Sequence, residues 1–300
     1  MLRISFSPIY RYPLPEGHRF PMIKYDLLPE QLVYEGTVSE SQFFAPRPLD
    51  EEEILLTHTE EYWDKLINGT LSYKEARKIG FPMTDLLVHR GRHISQGTYQ
   101  CAHYALENGI AMNIAGGTHH AYADRGEGFC VLNDFAIAAN LLLKEGTVKQ
   151  VLIVDLDVHQ GNGTAHIFQD DPRVFTFSMH GAKNYPLRKE QSNLDIGLPD
   201  GAEDDLYLIT LSNHLPRLID EVQPDIIFYL SGVDILSTDK LGRLALTMEG
   251  CRQRDQFVFE QCQKNRIPVV VSMGGGYSER VATVVEAHAN TFREAQRIFF

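Results

Sequence analysis

Residues 151–163 read VLIVDLDVHQGNG. The opening VLIV is a short run of leucine and β-branched residues, the composition of a strand buried on both faces. Asp155, Asp157 and His159 follow at every second position. In extended backbone the side-chain period is two, so these three groups project to one side. Carboxylates at the end of a buried strand are costly unless they are paired or hold a cation. Two carboxylates and an imidazole form a metal-competent donor set. The competing reading is a salt-bridged strand end.

Working outward, Val174–Ser178 (VFTFS), Ile226–Ser231 (IIFYLS) and Val269–Met273 (VVVSM) have the same strand character, and Leu2–Phe6 and Ile110–Ile114 are weaker candidates. Stretches of helical period lie between them: Asp50–Ile67, Ser95–Glu107, Asn133–Lys144, Asp204–Val222, Thr247–Lys264 and Tyr277–Ile298. Pro224 and Pro268 each precede a strand and stop the helix before it. Strands alternating with helices predict βαβ units. The expected fold is therefore α/β, a three-layer α-β-α arrangement around a central, mostly parallel sheet. No repeat, low-complexity tract or linker interrupts the alternation, so residues 1–300 are expected to form one domain.

Composition narrows the function. With 43% hydrophobic and 23% charged residues in 300, the chain can bury a sizeable core, which excludes a disordered or collagen-like protein. Its 28 basic and 40 acidic residues give a net charge of −12, which argues against a nucleic-acid partner. That balance suits a cationic small molecule or a lysine-bearing peptide, and equally plain solubility. Cys101, Cys130, Cys251 and Cys262 form no CxxC pair, consistent with a reduced compartment. No apolar run approaches the roughly 18 residues of a membrane span. The N-terminal MLRISFSPIYRYP has no long apolar signal region, and the expected location is cytoplasmic.

Other strand ends carry chemistry as well. Ser231-Gly232-Val233-Asp234 supplies another carboxylate, which alone would read as a helix N-cap but beside the first cluster becomes a natural third ligand. Two Asp and one His leave a coordination position open, the pattern of a catalytic metal; zinc suits the set, and iron(II) is an alternative. Gly116-Gly117-Thr118-His119-His120 offers two histidines for proton transfer, or an ordinary exposed pair. Phe129, in Gly126–Asp134, could be core or pocket wall. Gly274-Gly275-Gly276-Tyr277 lacks the spacing and lysine of a phosphate loop, and a tyrosine aimed at a developing oxyanion is the sharper reading.

Together GGTHH (116–120), GEGFCVLND (126–134), DLDVHQGNG (155–163), SGVDIL (231–236) and GGGY (274–277) resemble the histone deacetylase family of the arginase–deacetylase fold. PEGHRFPMIKY (15–25) also looks familial, and QGNG, LGRLALT and GGGYSER look closer to the class IV branch and its bacterial relatives than to acetoin-utilisation or class I members. The resemblance implies one Zn2+ on Asp157, His159 and Asp234, His120 as the base, His119 as its electrostatic partner backed by Asp155, and Tyr277 as an oxyanion donor. It further implies a substrate tunnel with Phe129 on its wall, Leu241 near its rim, the Gly128 carbonyl accepting the substrate N–H, and Gly275 in contact with substrate. A K+ near Asp155, Ser178 and Phe168 is typical of the family.

Two departures stand out. Asn162 occupies a position where many class I members have Asp, making the expected partner of His120 neutral. Met179–Leu187 lacks a clear phenylalanine tunnel motif, with Tyr185 as the substitute. A dinuclear manganese site like that of the ureohydrolases is not expected, because Gly161 stands where such a site needs an Asp. The implied activity is removal of acetyl or other acyl groups from protein or peptide lysine. The rivals are a deacetylase of acetylpolyamines or another small acylated amine, for which Asp85 and Glu127 are weak gate candidates, and a catalytically silent acyl-lysine binding module.

Overall fold

The computed structural model describes residues 1–300. Eight parallel strands form one sheet: β1 (Arg3–Ser5), β2 (Phe43–Phe44), β3 (Ile110–Asn113), β4 (Val151–Asp155), β5 (Val174–Gly181), β6 (Leu194–Leu198), β7 (Ile226–Leu230) and β8 (Val269–Ser272). Their spatial order is β2-β1-β3-β8-β7-β4-β5-β6. The expected parallel sheet covered on both faces is what forms.

Alternation along the strands explains the layers. Leu152, Val154, Ile227, Tyr229, Val269 and Val271 face one apolar cluster. Val151, Ile153, Ile226, Phe228 and Val270 face the other. Strands β4, β7 and β8 are thus apolar in both directions, and helices must cover both faces. The helices are α1 (Lys24–Tyr34), α2 (Glu51–Ile54), α3 (Glu60–Ile67), α4 (Tyr73–Ile79), α5 (Asp85–Asn108), α6 (Asp134–Glu145), α7 (Asn162–Phe168), α8 (Asp204–Val222), α9 (Met248–Asn265) and α10 (Val281–Phe299). Residues of α1, α8, α9 and α10 enter the larger cluster, and those of α6 and the C-terminal half of α5 help build the smaller. No helix is long and apolar enough to cross a membrane.

Several boundaries differ from the sequence expectation. The helix expected over 50–67 is two, because Thr59 caps α3 by accepting from Tyr62 N. Helix α5 starts ten residues before Ser95, at Asp85, where the Thr84 side chain accepts from Leu87 N. The last helix starts at Val281 rather than Tyr277, whose amide is bound by the Asp239 carboxylate. Strands β2 and β6 and helices α1, α4 and α7 were not expected. The two strands are the sheet's edges and lack a long apolar run.

Candidate active site

Strands β3, β8, β7 and β4 are consecutive neighbours in the sheet although far apart in the chain. Their carboxyl ends therefore bring together GGTHH, GGGY, SGVD and DLDVH, at the edge where parallel sheets bind ligands. A cavity of about 430 Å³ opens over them.

On its floor, the ligand atoms of Asp157, His159 and Asp234 lie within 4.8 Å of one another. His159 Nδ1 is 2.9 Å from Asp157 Oδ1 and 3.2 Å from Asp234 Oδ2. Asp234 is fully buried and its Oδ2 receives no hydrogen bond, whereas its Oδ1 accepts from Val158 N at 3.0 Å. Burial works against a charged His159, but the bond to Asp157 and the Asp234 carboxylate 3.2 Å away prevail and push its pKa up to about 10. Burial and then the adjacent Asp157 charge raise Asp234. Metal-free, this triad holds a proton where two buried carboxylates converge. A divalent cation fits in its place, taking one nitrogen and two oxygens and leaving a position open. Gly275 allows this closeness: at φ +43°, an added Cβ would stand 2.2 Å from Asp234 Oδ2.

The paired histidines differ from each other. His119 Nδ1 meets Asp155 Oδ2 at 2.7 Å, and although burial opposes it, the Asp155 charge raises the His119 pKa. His120 donates from Nδ1 to Asn162 Oδ1 at 2.6 Å. Asn162 Nδ2 donates onward to the Tyr122 hydroxyl at 2.9 Å, which donates to Glu190 at 3.0 Å. Burial first, then the facing His119 and His159, lower His120 well below the usual histidine range. Its Nε2 has no partner within the chain, so a neutral imidazole presents a free lone pair.

Around these groups Phe129, Tyr185, Leu241 and Tyr277 line the cavity. Phe129 has φ +69°, an unusual conformation for an aromatic residue; it is held by the bond from its amide to Ile79 O at 2.7 Å and by packing against Phe81 and Phe20. Gly128 beside it needs its missing side chain, since a Cβ would lie 2.6 Å from the His120 ring. Tyr185 meets the His120 ring edge-on at 5.0 Å and donates its hydroxyl proton to Glu127 at 2.7 Å. The Tyr277 hydroxyl makes no bond within the chain. Burial, and then the Asp234 and Asp157 charges, raise its pKa well above the usual value.

All the candidate ligand, histidine, tyrosine and tunnel residues converge on this cavity. Asp155 and Ser178 are register partners on β4 and β5, and Phe168 ends α7 with its ring in the smaller apolar cluster. The Asp155 oxygens already accept from His119 and Asp157 N, and the potassium expectation gains no support from this arrangement.

Sequence reasoning missed Asp239, which accepts from Tyr277 N at 2.5 Å and Leu241 N at 2.8 Å, tying floor to rim. It also missed Lys24, 3% exposed, which donates to Gly275 O at 2.5 Å and is pushed down to about 8, chiefly by burial. Lys24 lies in the quoted PEGHRFPMIKY stretch, a signal that could have found it.

A family model described as the histone deacetylase domain matches residues 18–292. An uncharacterized protein of Picosynechococcus sp. is 44% identical over 296 residues, covering 99% of both chains. Histone deacetylase 2 of Arabidopsis thaliana is 31% identical over 278 residues, covering 89% of this chain and 72% of its own. The crystal structure of a histone deacetylase homologue from Aquifex aeolicus superposes with a TM-score of 0.84 at 25% identity, covering 99% of this chain and 84% of that one.

Proposed function

The chain belongs to the histone deacetylase family, and from that premise we propose that it is a zinc-dependent hydrolase removing acetyl or another acyl group from the ε-amine of lysine in a protein or peptide. Zn2+ on Asp157, His159 and Asp234 would supply Lewis-acid polarisation of the amide carbonyl and make water more acidic. His120 takes the proton of the attacking water at its free Nε2 and hands it to the departing lysine amine. That role needs a neutral imidazole of fixed tautomer, which burial and the bond to Asn162 favour. Tyr277 keeps its phenol proton against the field of the two carboxylates and donates it as a hydrogen bond to the developing oxyanion. Phe129 and Tyr185 offer apolar surface to the lysine stem, and the Gly128 carbonyl is an acceptor for the substrate N–H.

The observation that carries this reading is the coexistence, in one cavity, of an unpartnered buried Asp234 oxygen, a bare His120 nitrogen and an unbonded Tyr277 hydroxyl. The test is acetate release from acetyl-lysine peptides by zinc-loaded protein beside His120→Ala and a chelated control. Release abolished in both controls is expected. Absence of release at stoichiometric zinc would overturn the proposal.

A further inference from the structure

Resting on that deacylase reading, we propose that the preferred substrate is an acidic peptide segment, with carboxylates flanking the acylated lysine, rather than a lysine-rich tail or a polyamine. The observation is the charge of the cavity wall. Its only carboxylates are Asp157 and Asp234, both committed at the floor, whereas Arg19, Lys78, Lys183 and Arg243 all line it.

These cations exceed their partners. Glu127 is shared between Lys78 and Arg125, each at 3.2 Å, and its other oxygen accepts from Tyr185. Asp200 is shared between Arg243 at 3.1 Å and Lys183 at 3.7 Å. Arg19 has no carboxylate partner, and its guanidinium lies 4.9 Å from the centre of the Phe129 ring, on the wall itself. Besides the buried Lys24 and Arg90, four cations on the wall thus meet two carboxylates, in a chain whose net charge is −12. The positive excess is local, and it surrounds the cavity that would take the lysine stem.

The cations are also reachable and braced. The Lys183 and Arg243 side chains are 73% and 55% exposed. The segments carrying them are joined by Asn184, which donates to Leu241 O at 2.8 Å and accepts from Arg243 N at 3.2 Å. A peptide whose lysine stem fills the cavity lays its flanking side chains over this rim, within the roughly 8 Å over which charges act in physiological salt. Opposite charge there raises the encounter rate, and like charge lowers it. A polyamine or basic tail brings positive charge to a rim already in positive excess.

The test uses the zinc-loaded full chain and three acetyl-lysine peptides of equal length, flanked by Glu, Gln or Lys. We expect kcat/KM for the Glu peptide to exceed that for the Lys peptide by about tenfold at low ionic strength. The ratio should collapse toward one at high salt, and in the Arg19→Gln, Lys183→Gln, Arg243→Gln triple variant. Equal turnover of the three, or preference for Lys, overturns the acidic-segment proposal and leaves the deacylase reading standing. If none is turned over, fluorescence anisotropy of the same peptides separates the two readings. Selective binding of the Glu peptide supports the rim assignment without the deacylase, and unselective binding overturns both.

Discussion

His120 and Asn162 meet through one hydrogen bond, from Nδ1 to Oδ1 at 2.6 Å, and the acceptor is an uncharged amide. The nearest carboxylate along that chain of bonds, Glu190, is reached only through Tyr122. Orientation of the imidazole is thereby separated from charge stabilisation, and burial with the facing His119 and His159 keeps it neutral.

Asn162→Asp keeps the acceptor and adds a negative charge, which favours protonated His120 and raises its pKa. A general base must be unprotonated, so the acid limb of the kcat/KM profile should move to higher pH. A pH–rate profile checks this, and an unmoved acid limb would remove His120 as the base.

Tyr277→Phe deletes an unbonded hydroxyl and no packing. Turnover is expected to fall about 10²–10³-fold, the usual cost of one oxyanion donor. Zinc content by elemental analysis should be unchanged. Near-normal turnover would take Tyr277 out of the mechanism.

Metal binding should release protons. His159, raised to about 10, carries a proton at neutral pH when no ion is present, and a divalent ion must displace it. Calorimetry in buffers of different ionisation enthalpy should give about one proton released per zinc near pH 7, with affinity falling as pH falls. A buffer-independent heat would contradict this picture of the triad.

Two glycines with positive φ should respond differently to alanine. At Gly275 the new Cβ strikes Asp234, and the expected result is lost zinc affinity. At Gly146 nothing lies within 4 Å, so only the left-handed backbone costs, about 1–2 kcal/mol, with activity retained. Parallel zinc titration and thermal unfolding distinguish the two effects.

At the Ser231-Gly232 segment that leads to Asp234, the fully buried Arg254 pairs with Asp255 at 2.9 Å and donates to Ser231 Oγ at 3.0 Å and to Gly232 O. Arg254→Met leaves Asp255 buried without its cation. A loss of about 3–5 kcal/mol is expected in urea unfolding. A stability change under about 1 kcal/mol would show that the hydroxyls of Tyr229 and Thr291 suffice for Asp255.

The strands β4, β5, β7 and β8 were legible because a strand apolar on both faces announces itself over five residues, and the donors that follow them stand at fixed offsets in the chain. Edge strand β6, partly exposed and with Asp195 and Gly197 in its run, carries no such signature. Asp239 was illegible for another reason: its work is to accept amides from Leu241, Gly242 and Tyr277, and the Tyr277 contact spans 38 residues.

By itself the sequence determined the α/β alternation, the parallel sheet and the candidate ligands Asp157, His159 and Asp234. The first two follow from side-chain period, a property of neighbouring residues; period and the cost of burying charge point to Asp155, Asp157, His159 and Asp234 as donors, and the family resemblance selects the three. Only the tertiary structure decided that burial and the facing His119 and His159 lower the His120 pKa, that Lys24 lies buried against Gly275, and that a chain of net charge −12 has a cationic cavity rim. Protonation and local potential depend on distance in space, and the fold brings together groups as distant in the chain as Lys24 and Gly275, 251 residues apart.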